Sequence, residues 1–568
     1  MSNRSSRPVA RFSRRSLLQG LGAGLLTLAP LGPSGRASAQ PAPAGRRAGA
    51  DWDAAVAADP VAFLDRIGWG ASAAQLAELQ LMGPSAYLQA QLHGQGGTAL
   101  PASIAARLAA LPANQPLETL IPPLIEQDRG LRRARHADAG LEADAVEAQA
   151  QLKALNRFRF ALAQQAASQQ LLLALYAPDQ LRQRLSWFWL NHFNVFRAGN
   201  VAPMMADYCQ RVIAPHALGR FQDLLRATMF SPQMLLYLNN AQNARGHVNE
   251  NYAREVMELH TLGVGGGYAQ ADVTNLARVL TGLGVALMDR PVRLRPALRA
   301  DLWQRGLVVF NPARHDPYPK TVLGRSLQGR GLAEIDEVVA LLSSHPATAR
   351  HVSMQLAQYF VAEHPPAGLV DTMVQRWQST DGDLAAVLQA MFTSTHFAAS
   401  LQQPQFKDPM RYVLSALRAS VGEEPVSNPQ PVLGMLNGLG EPLFGRQTPD
   451  GYPLNTGAWD SPGQLTARFE VARQIGAGAP ALYADAPAWF NQGAPQDAAA
   501  ADAMGAIRDG SMPARKPPRR AAPDLARSPV YLAQQGRLGR ATLQALAQAD
   551  DRLRWNTLWL SSPEFMNA

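Results

Sequence analysis

The chain has 568 residues and is 47% hydrophobic, which is enough to bury a large core, although length alone admits two to four domains. Its formal charge of +9 lies mostly in the first 39 residues, which hold six arginines and no acidic group, so the remainder carries 47 basic against 44 acidic residues, a net of +3. That balance, with no basic stripe interleaved with aromatics, argues against a nucleic-acid partner, and a lone cysteine, Cys209, excludes an internal disulfide.

The first stretch reads as an export signal. Ser13-Arg14-Arg15-Ser16-Leu17-Leu18 precedes an apolar run to Leu31 and a small-residue cleavage site at Ala37-Ser38-Ala39. The run is too short and glycine-rich to span a bilayer comfortably. Residues 1–39 are therefore expected to be a twin-arginine signal that delivers a folded chain to the periplasm. Residues 40–55 follow as a linker, then 56–568 as a single helical body without a transmembrane segment, interrupted by a mobile Ala/Pro/Gly/Arg-rich insertion at 486–530.

Within that body the hydrophobic spacing is helical in nearly every segment longer than ten residues. The fold class expected is mainly α, a large multi-helix orthogonal bundle with long loops and a few short hairpins near 285–325. Ser72 is placed to cap one helix, and the stretch from Pro122 to Tyr176 reads as one or two long ones. The segment from Pro178 to Phe196 puts Leu181, Leu185, Phe188 and His192 on one face, with Trp187, Trp189 and a polar insertion, Asn191-His192. Ser231-Pro232 starts a further helix, and Val273, Leu276, Ala277 and Leu280 mark another inward stripe. A proline-rich loop from Asn311 carries His315, Asp316 and Lys320, a setting in which charges are usually solvated. Tyr452 and Trp459 lie in a turn-rich segment between Leu439 and Ser461.

The densest group of ionisable residues runs from His247 to Tyr268, HVNENYAREVMELHTLGVGGGY. Asn249 is placed to cap a helix of three to four turns that Gly263 ends. Steps of 100° put Tyr252, Ala253, Val256, Met257, Leu259 and His260 inward, and Glu250, Asn251, Arg254, Glu255 and Glu258 on the opposite face. The i, i+4, i+8 spacing of Glu250, Arg254 and Glu258 permits a solvated salt-bridge ladder. An excess of carboxylates beside two amides suits a polar cleft instead, where burial raises a carboxyl pKa and creates a general acid.

The same block, NENYAREVMELHTLGV with Gly266-Gly267-Tyr268, resembles the signature of a bacterial exported family known only as a domain of unknown function, number eighteen hundred. Arg66-Ile-Gly-Trp-Gly-Ala, Trp187-Phe-Trp-Leu-Asn-His-Phe, His315-Asp316 with Lys320, Lys407 with Pro409, Asp450-Gly-Tyr-Pro and Ser562-Pro-Glu-Phe agree in order. Gly265 and Gln355 depart from it, standing where relatives tend to have Asp or Asn and Lys. The resemblance implies no reaction; it implies an exported sulfatase-like or phosphatase-like partner encoded nearby.

No P-loop, dinucleotide-binding glycine signature, HExxH, paired CxxC or GxSxG elbow is present. The leading expectation is a hydrolase or lyase acting on envelope or exported polysaccharide. Glu250, Arg254, Glu255 and Glu258 are its catalytic candidates, and Asn249, Asn251, Trp187, Trp189 and Trp459 its substrate-binding ones. A second reading takes His192, His260, His315 and Asp316 as ligands of a divalent metal such as Zn, Fe or Mn. A third is a non-catalytic partner or maturation factor of the neighbouring exported protein.

Overall fold

The computed structural model describes residues 52–94, 99–137, 142–421, 424–486 and 520–568. The signal, the linker up to residue 51 and residues 487–519 of the expected insertion lie outside the described residues. Residues 520–530 are described, and they carry Leu525 and Val530 into the core.

Helix makes up 65% of the structure and strand 4%, so the chain is mainly α with a few short strands. Arg47–Ala568 form one compact unit. Among the described residues no helix is long and apolar enough to cross a membrane.

Helix α1, Pro60–Ile67, starts where Asp59 accepts the Ala62 N–H. The long helices α2, Leu117–Ala137, and α3, Glu142–Tyr176, pack against each other. Helix α4, Gln180–His192, lies at the centre: the expected stripe of Leu181, Leu185, Phe188 and His192 is buried, and so are Arg184, Trp187 and Trp189 on its other sides. An element buried all round has to satisfy its polar side chains with protein groups.

Ser72 and Ser231 cap as their positions suggest, the latter heading α5, Pro232–Tyr237. Helix α6, Asn251–Glu255, starts one residue later than a cap at Asn249 implies, and the Asn249 side chain accepts the Asn251 N–H in a tight turn. It widens at once into a π-turn, Val256–His260, and Gly263, at φ 82°, closes it by donating to Met257 O. The wider turn breaks the 100° steps, so Leu259 is half-buried rather than inward while His260 is fully enclosed.

Helix α7, Gln270–Val279, buries Val273, Leu276 and Ala277 as expected. Strand β1, Leu283–Val285, pairs antiparallel with β3, Val308–Phe310, which also pairs with β2, Trp303–Arg305; β4, Lys320–Val322, pairs with β5, Arg325–Leu327. Four further helices complete the frame of the site: α8, Leu332–Ser344; α9, Pro346–Phe360; α10, Pro409–Ser420; and α11, Pro462–Gly476. The last three carry proline in the first turn, where its missing N–H costs nothing.

Candidate functional site

The polar face of α6 forms the ladder that its spacing permits. Arg254 bridges Glu250 at 3.2 Å and Glu258 at 3.4 Å, and all three side chains keep roughly a third of their surface in water. Glu250 also accepts from Thr274 Oγ1 at 2.7 Å and Gln270 Nε2 at 2.8 Å on α7. The Thr274 hydroxyl, with Gln270 and Arg254, holds the Glu250 carboxyl below the usual range. Asn251 donates to Leu238 O, and Asn249 Nδ2 to Asn239 O. The face therefore ties α6 to its neighbours. Glu255 alone leaves the ladder: it is half-buried, and burial, Glu258 and Asp450 together raise its pKa.

Asp450 belongs to the loop that follows Glu441, and α4 holds that loop. Asn191 Nδ2 donates to Tyr452 O at 2.9 Å while its Oδ1 accepts the Tyr452 N–H at 2.6 Å. Asn194 donates to the carbonyls of Arg446 and Thr448, and the Tyr237 hydroxyl to that of Gln447. A Cβ on Gly451, at φ 70°, would lie 2.3 Å from Asn191 O, so only glycine allows this approach. Phe444 holds φ 57°, a conformation bulky residues rarely adopt and one that clusters at functional sites. The polar insertion in α4 is thus a clamp on this loop.

Beneath the clamp is a narrow, partly open pocket of about 10 Å³, room for about one water, walled by Trp187, Tyr359, Asp408, Glu441 and Tyr452. Glu441 is 2% exposed and accepts the Met410 N–H at 2.9 Å. Burial and the neighbouring Asp408 charge push its carboxyl well above the usual range, which favours its protonated form. Asp408 caps α10 and pairs with Arg411 Nε at 3.0 Å. The buried Tyr359 hydroxyl meets no partner. Burial raises its pKa, and the Arg184 charge, the next influence on it, opposes the shift. Two carboxyls in one pocket, one buried and one held by an arginine, are the elements of acid–base chemistry.

The remaining candidates are distributed over several places. Trp187 lines the pocket. Trp189 is core: it is fully buried, donates its indole N–H to Ala217 O at 3.0 Å and packs on Phe193 and Phe221, so neither ring face is open to a sugar. Trp459 is also buried and braces the loop by donating to Pro453 O beside the Tyr452 ring.

His192 and His260 come together, with ring centres 6.1 Å apart and His351 at 6.3 Å from His192. His192 Nε2 faces His260 O and Nδ1 faces Gln355; a neutral ring donates from one nitrogen only, so Gln355 presents its amide N–H. Burial, with His351 alongside, lowers the His192 pKa to about 4, and burial also lowers those of His260 and His351.

His315 and Asp316 form a separate cluster, and the expected solvation of their loop does not hold. Arg278 meets Asp316 at 2.7 Å, Lys320 meets Glu334 at 2.7 Å with both side chains fully buried, and His315 Nδ1 donates to Thr281 O. These contacts fasten the hairpin to α7 and α8. Among the described residues, no group of three or more His, Cys, Asp or Glu side chains is arranged to hold a metal ion.

Tyr359, Asp408, Glu441 and Arg184 escaped the reading of the sequence. The available signal was two carboxylates set directly before proline, Asp408-Pro409 and Glu441-Pro442.

A family model described as "Protein of unknown function (DUF1800)" matches residues 62–567, and the chain belongs to that family. No curated protein and no solved structure matches it.

Proposed function

We propose that this DUF1800 protein is an exported glycan hydrolase whose acid and base are Glu441 and Asp408. The observation that carries the reading is the buried Glu441 carboxyl, whose protonated form burial favours, beside the ion-paired Asp408 in a pocket walled by Trp187 and Tyr452. Glu441 gives its proton to the glycosidic oxygen as the bond to the anomeric carbon breaks; a water oxygen bonds to that carbon and its proton passes to Asp408. The Trp187 and Tyr452 side chains offer apolar walls to a sugar ring approaching the open side of the pocket.

The test is release of reducing ends from a panel of envelope polysaccharides by the purified protein and its Glu441→Gln variant. The amide keeps an oxygen for the Met410 N–H, so folding is retained while the proton donor is lost. Full release by the variant refutes the assignment. Export through the Arg14-Arg15 leader is part of the same proposal. Replacing both arginines by lysine is expected to strand the protein in the cytoplasm, and unimpaired periplasmic accumulation contradicts that route.

A further inference from the structure

We propose that the connection between β1 and β2, residues 286–302, is a docking surface for an acidic polysaccharide, whose carboxylate or sulfate groups pair with Arg290, Arg293, Arg295 and Arg299. The choice of a polysaccharide rests on the glycan-acting reading above, but the surface shares no residue with the pocket.

The connection leaves β1, one outer strand of the three-stranded sheet, and returns to β2, the other. It carries four arginines against Asp289 and Asp301, and no lysine. All four arginines are exposed, while Val292, Leu294 and Leu298 between them are half-buried. Through 292–295 the alternation is that of an extended segment with one apolar and one solvent side. Arg295 then heads a 3₁₀ turn, Pro296–Asp301, in which the Leu298 N–H donates to Arg295 O. Leu287, Met288 and Trp303 anchor the two ends on the core, Trp303 against the Phe230 ring. The charges are therefore presented outward by a braced segment.

These arginines differ from their counterparts elsewhere in having no partner. Arg211 meets Asp207 at 3.0 Å, Arg350 meets Asp371 at 2.6 Å, Arg473 meets Glu470 at 2.7 Å and Arg552 meets Asp524 at 3.1 Å, all at the surface. Arg290, Arg293, Arg295 and Arg299 make no ion pair and no side-chain hydrogen bond with any described residue. Helix α2 adds to the positive charge. Its exposed Arg129 reaches the Met288 sulfur, Arg133 follows one turn later, and Asp128 between them is taken by Arg132 and Arg159.

Like charges gathered without partners repel one another, and a polyanion offsets that cost. Arginine, with its planar fork, suits carboxylate and sulfate oxygens better than lysine does. A membrane surface would call for apolar side chains able to enter the headgroup layer, and no large apolar residue of 286–305 is exposed. A single-stranded nucleic acid would call for open aromatic platforms, whereas Trp303 is engaged with Phe230. The chemistry that fits is a chain with oxyanions repeated along it, supplied by uronic acids or by sulfate esters.

The experiment is binding of polygalacturonate, dextran sulfate and neutral dextran to the purified protein and to two triple variants. One carries Arg293→Ser, Arg295→Ser and Arg299→Ser; the other, Arg350→Ser, Arg473→Ser and Arg552→Ser, removes the same charge elsewhere. At least one polyanion is expected to bind about tenfold or more tightly than dextran, and to weaken by about tenfold or more between about 50 and about 200 mM salt. Which one binds identifies the oxyanion. The first variant is expected to lose that margin while melting like wild type, because the removed side chains have no partner in the fold; the second is expected to keep it. Equal binding of all three polymers, binding of none, an undiminished margin in the first variant, an equal loss in the second, or capture of phosphatidylglycerol vesicles in place of the polyanions overturns the inference. If a polyanion binds through these arginines but no polysaccharide is cut, the hydrolase reading fails and the surface stands. If a neutral polysaccharide is cut by wild type and not by Glu441→Gln while the margin is absent, the surface fails and the acid assignment stands.

Discussion

The outer face of α6 and the pocket beneath the 441–454 loop both concentrate carboxylates, but they use them differently. On α6 the charges face each other: Arg254 lies between Glu250 and Glu258, and Thr274 and Gln270 complete the Glu250 carboxylate. In the pocket, polar capacity is left over. Burial favours the protonated form of Glu441, and the Tyr359 hydroxyl and the Arg184 Nε and Nη2 groups have no hydrogen-bond partner. Density of charge along a chain therefore marks a helix that must be pinned, whereas unused hydrogen-bonding capacity marks a place for a ligand.

The sharpest way to test that distinction on stability is to unpair a charge in the buried cluster. Lys407→Met leaves Asp65 enclosed without its cation, and breaking a buried pair in this way is expected to destabilise the protein by about 3–5 kcal/mol. Denaturant unfolding measures it; a change no larger than that of a surface substitution would place Asp65 in contact with water.

A smaller effect, about 3 kcal/mol, belongs to the inner side of the charged helix. The His192 pKa is lowered to about 4 in the fold, from an ordinary value near 6.5. The unfolded chain therefore binds the proton first, so this contribution is complete above pH 6.5 and is lost as pH falls toward 4. Glu441 works with the opposite sign, since its neutral form is favoured by burial and its contribution grows on acidification. A His192→Gln variant separates the two: its stability is expected to fall less steeply than wild type between pH 6.5 and 4. Parallel curves would mean that the ring is hydrated.

The smallest effect is expected on the ladder itself. Glu258→Gln removes one partially exposed ion pair and is expected to shift stability by less than about 0.5 kcal/mol. A loss of several times that size would make the α6 face a structural keystone and erase the contrast with the pocket.

Much of the fold was legible because its determinants are local. Ser72 and Ser231 cap helices, prolines open the first turns of α9, α10 and α11, and periodic apolar residues such as Val273, Leu276 and Ala277 point inward. The π-turn at Val256–His260 was not legible, because its cause is the enclosure of His260 by α4 and α9 side chains rather than any local propensity. The pocket was hidden for a related reason. Tyr359 reads as one more core aromatic of α9, Asp408 as a helix cap and Glu441 as a turn residue, and each is partly that. Only the packing of α4 between them, with Asn191 and Asn194 holding the loop down, turns three ordinary roles into one site. Asn191 was visible in the polar insertion between Trp189 and Phe193, yet its partner Tyr452 lies 261 residues away, and Asn194, just past that insertion, was not singled out.

The most direct measurement is polysaccharide turnover by Glu441→Gln beside Glu258→Gln, with both variants first shown to be folded. The expected result is a loss of about 100-fold or more for Glu441→Gln, and a rate within about twofold of wild type for Glu258→Gln. Inactive Glu258→Gln with active Glu441→Gln would contradict the assignment and return the chemistry to the charged helix.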